Sequence, residues 1–324
     1  MTLPAKTSAW VLTDGKIGDE AQCLAITDAL GLEPAVRRVA PRPPFSWAMP
    51  YGPIDPREAP GRPASPVAPP FPDLLIASGR RSIAYVRHVK RASRGRTFTV
   101  ILKDPRTGTG AADFIWVAQH DRLRGDNVLV TLTSPHRVSA ERLAAARENP
   151  PPALAALPAP RAAVLVGGNS RHYRFTEADI ARFLADLRRL ADSGVALMMT
   201  ASRRTPPPLA AALAELAASG AGYLWDGMGD NPYIALLALA DSVVVTADST
   251  NMLSEAAVTG MPILVFEPSG GHDKIKALLQ GLRCAGAVRT FAGRLEQGAY
   301  VPLNSTSIIA DAIAVAFRRY QAHL

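Results

Sequence analysis

The sequence predicts an α/β protein of two domains, each a parallel sheet covered by helices. Three observations carry this. Short β-type runs alternate with helical runs along almost the full 324 residues. The β-type runs are continuously apolar, as strands buried on both faces are. A proline-rich stretch, "ENPPPALAALPAPR" from Glu148 to Arg161, separates two series of such runs and reads as a linker.

The first series is "AWVLTD", "AVRRVA", "DLLIAS", "TFTVIL", "DFIWVA" and "NVLVTL". A helix is expected over about Glu20 to Leu30, with Gly31 as its stop. Pro41 to Pro72 holds twelve of the 28 prolines and should be neither a helix nor a central strand. It also carries Phe45, Trp47, Met49, Tyr51 and Phe71, which suits a flap or a loop touching a membrane, or a disordered insertion. The second series is "AAVLVG", "VALMMTA", "AGYLWD", "SVVVTA" and "PILVFE". Before its first long helix, Thr176 reads as an N-cap with Asp179 in the third helical position. The last helix, about Ser307 to His323, has no strand after it. The expected domains are therefore 1–158, with an excursion at 41–72, then 159–306, then a closing helix at 307–324.

Composition narrows the function. The chain is 48% hydrophobic and 20% charged, ordinary for a protein with a sizeable core. No apolar run approaches the ~18 residues of a membrane span, and the start has no secretory signature, so a cytoplasmic location is expected. Cys23 and Cys284 read as two reduced thiols, with one long-range disulfide as the alternative. The net charge is +8 and the pI about 9.8. Such a surface suits an anionic membrane face or a phosphorylated small molecule. No zinc spacing, aromatic RNA-binding signature or basic helix supports nucleic acid.

Ligands of open parallel sheets bind beyond the carboxyl ends of the strands. There the first series places Gly15, Lys16, Gly18, Asp19, Glu20 and Gln22, then Arg80 and Arg81, then Lys103, then His120, then His136 and Arg137. The second series places Gly167, Gly168, Asn169 and Ser170, then Arg203 and Arg204, then Asp248, Ser249, Thr250 and Asn251. Glycines allow a close backbone approach, and Arg with hydroxyl groups suits phosphate. Glu255 falls in the first turns of a helix expected to start near Asn251. The helix dipole alone would favour a carboxylate there, and vicinal ribose hydroxyls would be a functional partner. There is no G-x-G-x-x-G, no Walker motif, no D-x-D and no convincing ligand cluster, so neither a dinucleotide, nor ATP, nor a metal is expected.

The motifs "DGKIGDEAQCLAITDALG", "SGRRSI", "SPHRV", "GGNSRHYRF" and "VTADSTNMLSEAAVTGMP" resemble those of one bacterial and plant family. It is named after the elongated-mitochondria (mitochondrial fission) protein. The resemblance runs from Trp10 to about Phe291. It implies a GT-B-like fold, two Rossmann-like domains facing a cleft, and a metal-independent glycosyltransferase with no cofactor beyond its nucleotide-sugar substrate. It also implies that the C-terminal domain binds the donor through Gly167, Gly168, Asn169, Ser170, Arg203, Arg204, Asp248, Ser249, Thr250, Asn251 and Glu255. The N-terminal domain would take the acceptor, a lipid-linked or cell-envelope glycan. Gly18, Gln22, Arg80, Arg81, Lys103 and His120 lie on that side, and Asp19, Lys16 and His136 are the catalytic candidates. Related enzymes often carry a His after the glycine where this sequence has Asp19, a carboxylate able to act as general base. Peripheral contact with the cytoplasmic face of an anionic membrane is part of the same expectation. Two other readings use the same residues: a non-catalytic membrane-associated adaptor, and a sugar-nucleotide epimerase.

Overall fold

A computed structural model describes residues 2–4 and 6–324. The chain forms two compact units, Met1–Arg137 with Ser305–Leu324, and Val138–Asn304.

Unit 1 contains β1 (Ala9–Thr13), α1 (Ile17–Ala29), β2 (Ala35–Arg38), α2 (Phe45–Ala48), β3 (Leu74–Ser78), α3 (Ile83–Ala92), β4 (Phe98–Leu102), β5 (Phe114–Ala118) and β6 (Val128–Thr131). The six strands are parallel in the order β2-β1-β3-β4-β5-β6. Successive strand residues alternate between two apolar layers, because side chains change face at every residue. Val11, Ile76, Val100 and Trp116 face one layer, and Leu12, Leu75, Ile101 and Ile115 the other.

The proline-rich segment belongs to the second of these layers. Met49 and Val67 are buried there beside Tyr85 and Val86 of α3. Asp55, 1% exposed, accepts from the Arg42 and Arg57 backbone N–H groups at 2.9 and 3.0 Å, which ties the segment into a compact loop. It is therefore packed rather than a free flap, and Phe45–Ala48 makes one helical turn inside it. Trp47 and Tyr51 stay exposed. The first helix begins at Ile17, three residues before its expected start, so Asp19 and Glu20 occupy its first turn.

Unit 2 contains α4 (Ala140–Glu148), α5 (Pro152–Ala155), β7 (Arg161–Val166), β8 (Tyr173–Arg174), α6 (Glu177–Asp192), β9 (Ala196–Ala201), α7 (Pro207–Leu216) and β10 (Gly222–Leu224). Then follow α8 (Tyr233–Leu239), β11 (Ser242–Thr246), α9 (Thr250–Ala256), β12 (Ile263–Phe266), β13 (Ser269–Gly270), α10 (Asp273–Cys284) and β14 (Val288–Thr290). Its parallel sheet runs β10-β9-β7-β11-β12-β14. In unit-2 order this is 3-2-1-4-5-6, the doubly wound arrangement of mononucleotide-binding halves. Thr176 caps α6 through a reciprocal box with Asp179, as its spacing predicts.

Two boundaries differ from the sequence reading. Unit 2 starts at Val138, not at Ala159, because α4 packs on α8 and Arg147 Nε donates to the Ala238 carbonyl at 2.8 Å. The prolines of Glu148–Arg161 therefore lie inside a unit. The final helix, α11, spans Ser305–Gln321 and belongs to unit 1, where Ile309, Ile313 and Phe317 fill the layer under Val11, Ile76 and Val100. Cys23 is buried, Cys284 is exposed, and both are free thiols. Among the described residues no helix is long and apolar enough to cross a membrane.

Candidate functional site

In unit 2 the strand order reverses between β7 and β11, and the loops leaving β7, β9 and β11 meet there. Such a switch point opens a crevice at the carboxyl ends of the strands. The Gly167 N–H donates to Thr246 Oγ1 at 2.7 Å, and the Gly168 N–H to Asp248 Oδ2 at 2.8 Å. A Cβ on Gly167 would stand 2.2 Å from Asp248 Oδ2, and one on Gly168 would stand 2.0 Å from the Arg204 carbonyl oxygen. Close approach, not an unusual φ, requires both glycines.

Asp248 is the hub of this junction. Its side chain is fully buried and also accepts from Thr246 Oγ1 at 2.8 Å and Arg204 Nη2 at 3.0 Å. Burial raises its carboxyl above the ordinary value, against the pull of the Gly168, Thr246 and Arg204 bonds. Arg204 is fixed again by Nη1 on the Asn169 carbonyl at 3.3 Å. Asn169 Oδ1 accepts the Phe175 N–H at 2.8 Å, and Ser170 Oγ accepts the Tyr173 N–H at 3.0 Å. These polar side chains build the loop itself.

The loops after β7 and β12, the neighbours on either side of β11, pair through β8 and β13. Asp179 anchors this clasp by accepting the Ser269 N–H at 3.0 Å. Burial alone would raise its carboxyl, but the bonds from Ser269 and Thr176 outweigh it and hold it far below the carboxylate range.

What the junction leaves uncommitted is Arg203, Thr250 and Glu255. Arg203 is exposed and makes no hydrogen bond or ion pair among the described residues. Ser249 caps α9 weakly, accepting the Met252 N–H at 3.4 Å. Glu255 lies in the last turn of this seven-residue helix, not its first, so the dipole disfavours its charge instead of supporting it. Among the described residues its carboxylate has one hydrogen-bond partner, Tyr233, whose hydroxyl donates to Oε2 at 2.6 Å. Burial pushes the Glu255 carboxyl up to about 7, against that bond.

Unit 1 has its own switch point, between β1 and β3. Here the polar residues pair with each other. Lys16 Nζ meets Asp14 Oδ2 at 2.9 Å, and Lys103 Nζ is hydrogen-bonded to Asp19 Oδ1. Arg38 grips Glu20 with two bonds of 2.8 and 2.7 Å. The Arg38 bonds hold the Glu20 carboxyl below its ordinary value, with burial opposing. A Cβ on Gly79, whose φ is +97°, would lie 3.0 Å from Asp14 Oδ1 and 3.3 Å from Asp19 Oδ2, so both carboxylates crowd one glycine turn.

The other expected residues disperse. Arg80 turns to the proline-rich segment, with Nη1 on the Met49 carbonyl at 3.0 Å. His136 is 5% exposed, and its backbone exchanges bonds of 3.0 Å with Thr306 Oγ1, which moors α11. His120 stands 3.9 Å from Asp121. Gln22 is buried, Gly18 is half-buried in the first turn of α1, and Arg81 is exposed. Sequence reasoning left out Thr246 and Arg38 as site residues and gave Tyr233 only as one of the polar residues after the third strand of the second series. Thr246 and Asp248, two apart at a strand end, were the legible signal, whereas nothing local marks Tyr233 as the partner of a residue 22 positions away.

Comparison with known proteins places this geometry. The profile of the mitochondrial fission ELM1 family matches residues 17–317. The mitochondrial fission protein ELM1 of Arabidopsis thaliana is 31% identical over 271 residues, which is 75% of this chain and 63% of that protein. The uncharacterized protein RP120 of Rickettsia prowazekii is 31% identical over 166 residues, 48% of this chain and 46% of its own. The chain thus spans less than two thirds of either curated relative. Among solved structures, a Listeria monocytogenes protein provisionally described as a UDP-N-acetylglucosamine 2-epimerase aligns with a TM-score of 0.62 at 13% identity, covering 98% of both chains. The UDP-GlcNAc 2-epimerase of Methanocaldococcus jannaschii aligns at 0.56 with 9% identity, covering 95% of this chain and 99% of its own. That of Neisseria meningitidis, solved with UDP-GlcNAc, aligns at 0.51 with 12% identity, covering 97% and 92%. At these identities the likeness is one of fold, GT-B-like α/β with two parallel six-stranded sheets.

Proposed function

Because the chain belongs to the mitochondrial fission ELM1 family, we propose that it is a glycosyltransferase whose unit 2 holds a nucleotide-sugar donor. One observation carries the reading. Glu255 is a carboxylate in the last turn of α9, the helix that follows β11, pushed up to about 7 by burial, with a tyrosine hydroxyl as its single side-chain partner among the described residues. Neither helix dipole nor ion pairing accounts for it, and vicinal ribose hydroxyls would supply the donors it lacks. Arg203 supplies positive charge for the leaving diphosphate, beside the backbone N–H groups of the Ser249–Asn251 turn. Arg204 acts by holding Asn169 and Asp248, not by touching the ligand. UDP-GlcNAc in the Neisseria structure, on a fold of the same kind, supports a nucleotide-sugar as the ligand class.

Unit 1 takes the acceptor in this reading, and a lipid-linked or envelope glycan fits a chain of net charge +8 working against an anionic membrane. Asp19 is the candidate base for the acceptor hydroxyl, once Lys103 releases it. Positive side chains and N–H dipoles suffice for the chemistry without a metal. The test is a binding panel of UDP-, GDP-, ADP-, CMP- and dTDP-linked sugars. One of them should bind, Glu255→Ala should weaken it at least tenfold, and Glu255→Gln should flatten its pH dependence around 7. No binding by any of the five would sink the reading.

The Lys103–Asp19 contact favours a second reading, a nucleotide-binding adaptor without transfer, since a neutralised carboxylate is a poor base. Donor binding with neither hydrolysis nor transfer across acceptor extracts would select it.

A further inference from the structure

A cavity of about 880 Å³ in unit 1 lies away from the strand ends just described. It opens at the amino ends of the strands. Thr99 near the start of β4, Asp113 just before β5 and Asn127 just before β6 line it, with Arg87, Lys90 and Arg91 of α3 and with Tyr51 and Pro53 of the proline-rich segment. The donor reading leaves this space without a role.

Its charge is unbalanced. Three cations line it, spaced i, i+3 and i+4 so that they share one face of α3, against one carboxylate. That carboxylate is already used, since Asp113 Oδ2 takes Lys90 Nζ at 2.7 Å and Thr99 Oγ1 at 2.8 Å. Arg87 spends Nη2 on the carbonyls of Pro50 and Tyr51, at 2.6 and 3.1 Å, and keeps its other N–H groups. Arg91 is exposed, and its side chain makes no hydrogen bond or ion pair among the described residues. The C-terminal end of α3 favours cations by its dipole, but that effect needs no cavity. Gly110 lines the far side, and a Cβ there would meet nothing within 4 Å. The volume lies in the range of small-molecule sites and far exceeds the share of about 30 Å³ that one water occupies.

We propose that this cavity binds a phosphate monoester, with its phosphate between Arg87 and Arg91 and its organic part against Tyr51 and Pro53. The charge argument selects the group. Three cations and one carboxylate leave two positive charges, and a phosphate monoester carries about −1.5 to −2 near neutral pH. Guanidinium forks match its oxygens. The ester has two sources, a soluble metabolite or the headgroup of phosphatidic acid. This site is independent of the donor reading and stands if that reading falls.

The experiment uses the full chain with two probes: glycerol 3-phosphate by calorimetric titration, and co-sedimentation with phosphatidylcholine vesicles containing phosphatidic acid. Arg91→Gln removes a side chain the fold does not use, and Gly110→Leu fills the cavity without changing charge. Arg203→Gln is the control in unit 2. At least one probe should bind the wild type, both cavity variants should weaken it at least tenfold, and Arg203→Gln should leave it unchanged. Glycerol 3-phosphate binding identifies a soluble ester, and binding to vesicles alone identifies the lipid headgroup. Binding of neither probe overturns the proposal. So does equal binding by wild type and both variants, or an equal loss in Arg203→Gln.

Discussion

The two units place polar residues at equivalent positions, the carboxyl ends of parallel strands beside a switch point, and use them in opposite ways. In unit 1 the charges cancel one another: Asp14 with Lys16, Asp19 with Lys103, Glu20 with Arg38. In unit 2 one buried carboxylate, Asp248, gathers a backbone N–H, a hydroxyl and a guanidinium from the ends of three strands. Arg203 and Glu255 are left over. A preorganised junction with spare charge is suited to a charged ligand, whereas a self-neutralised rim must first break its own pairs. This difference is the reason the proposed function puts the donor in unit 2.

The largest effect is expected at the hub. Asp248→Ala leaves the buried Gly168 N–H and Thr246 hydroxyl without their acceptor, at about 1–3 kcal/mol each, so it should cost about 3–5 kcal/mol in urea unfolding. The corresponding Asp19→Ala in unit 1 should cost only about 1 kcal/mol, because Lys103 is 45% exposed and returns to water. Equal losses would mean that the two rims are built alike. Next comes Gly168→Ala, whose new Cβ meets backbone at 2.0 Å and should cost about 3 kcal/mol. Gly15→Ala in unit 1 meets only the Arg38 side chain at 3.8 Å and pays for its φ of +80° with about 1 kcal/mol.

Smaller, but specific in its pH dependence, is Glu255. Its carboxyl titrates near 7 when folded against an ordinary value of 4.5, so the folded state binds the proton more tightly. The associated stability is full below about pH 4.5 and is lost as pH rises to about 7. Glu255→Gln should remove that slope and leave the variant more stable above pH 7 by on the order of 2 kcal/mol. A thermal melt series between pH 4 and pH 8 reads this directly, and an unchanged slope would remove the buried-carboxylate account.

Much of this was legible in the sequence. All eleven β-type runs are strands: those at the sheet centres are apolar because both faces are buried, whereas Ala35–Arg38 is a largely exposed edge strand, and the edge strand Val288–Thr290 was missed because it is three residues long with two exposed, as were the two-residue β8 and β13. The capping box at Thr176 needs only its own four residues. The fate of the polar residues was not legible. Gly168 and Asp248 are 80 positions apart, and Lys103 and Asp19 are 84 apart, so no local pattern could show that these side chains consume one another.

By itself, then, the sequence determined the elements, the sites of their polar ends and the alternation that makes two parallel sheets. Those follow from local periodicity and from the need to bury apolar faces. Tertiary structure alone decided three things. The proline-rich segment packs on α3, because Met49 and Val67 gain burial there. The last helix returns to unit 1, because Ile309, Ile313 and Phe317 complete its core. Asp248 became scaffold while Glu255 kept only Tyr233 as a side-chain partner among the described residues, because hydrogen-bond partners are chosen by proximity in space.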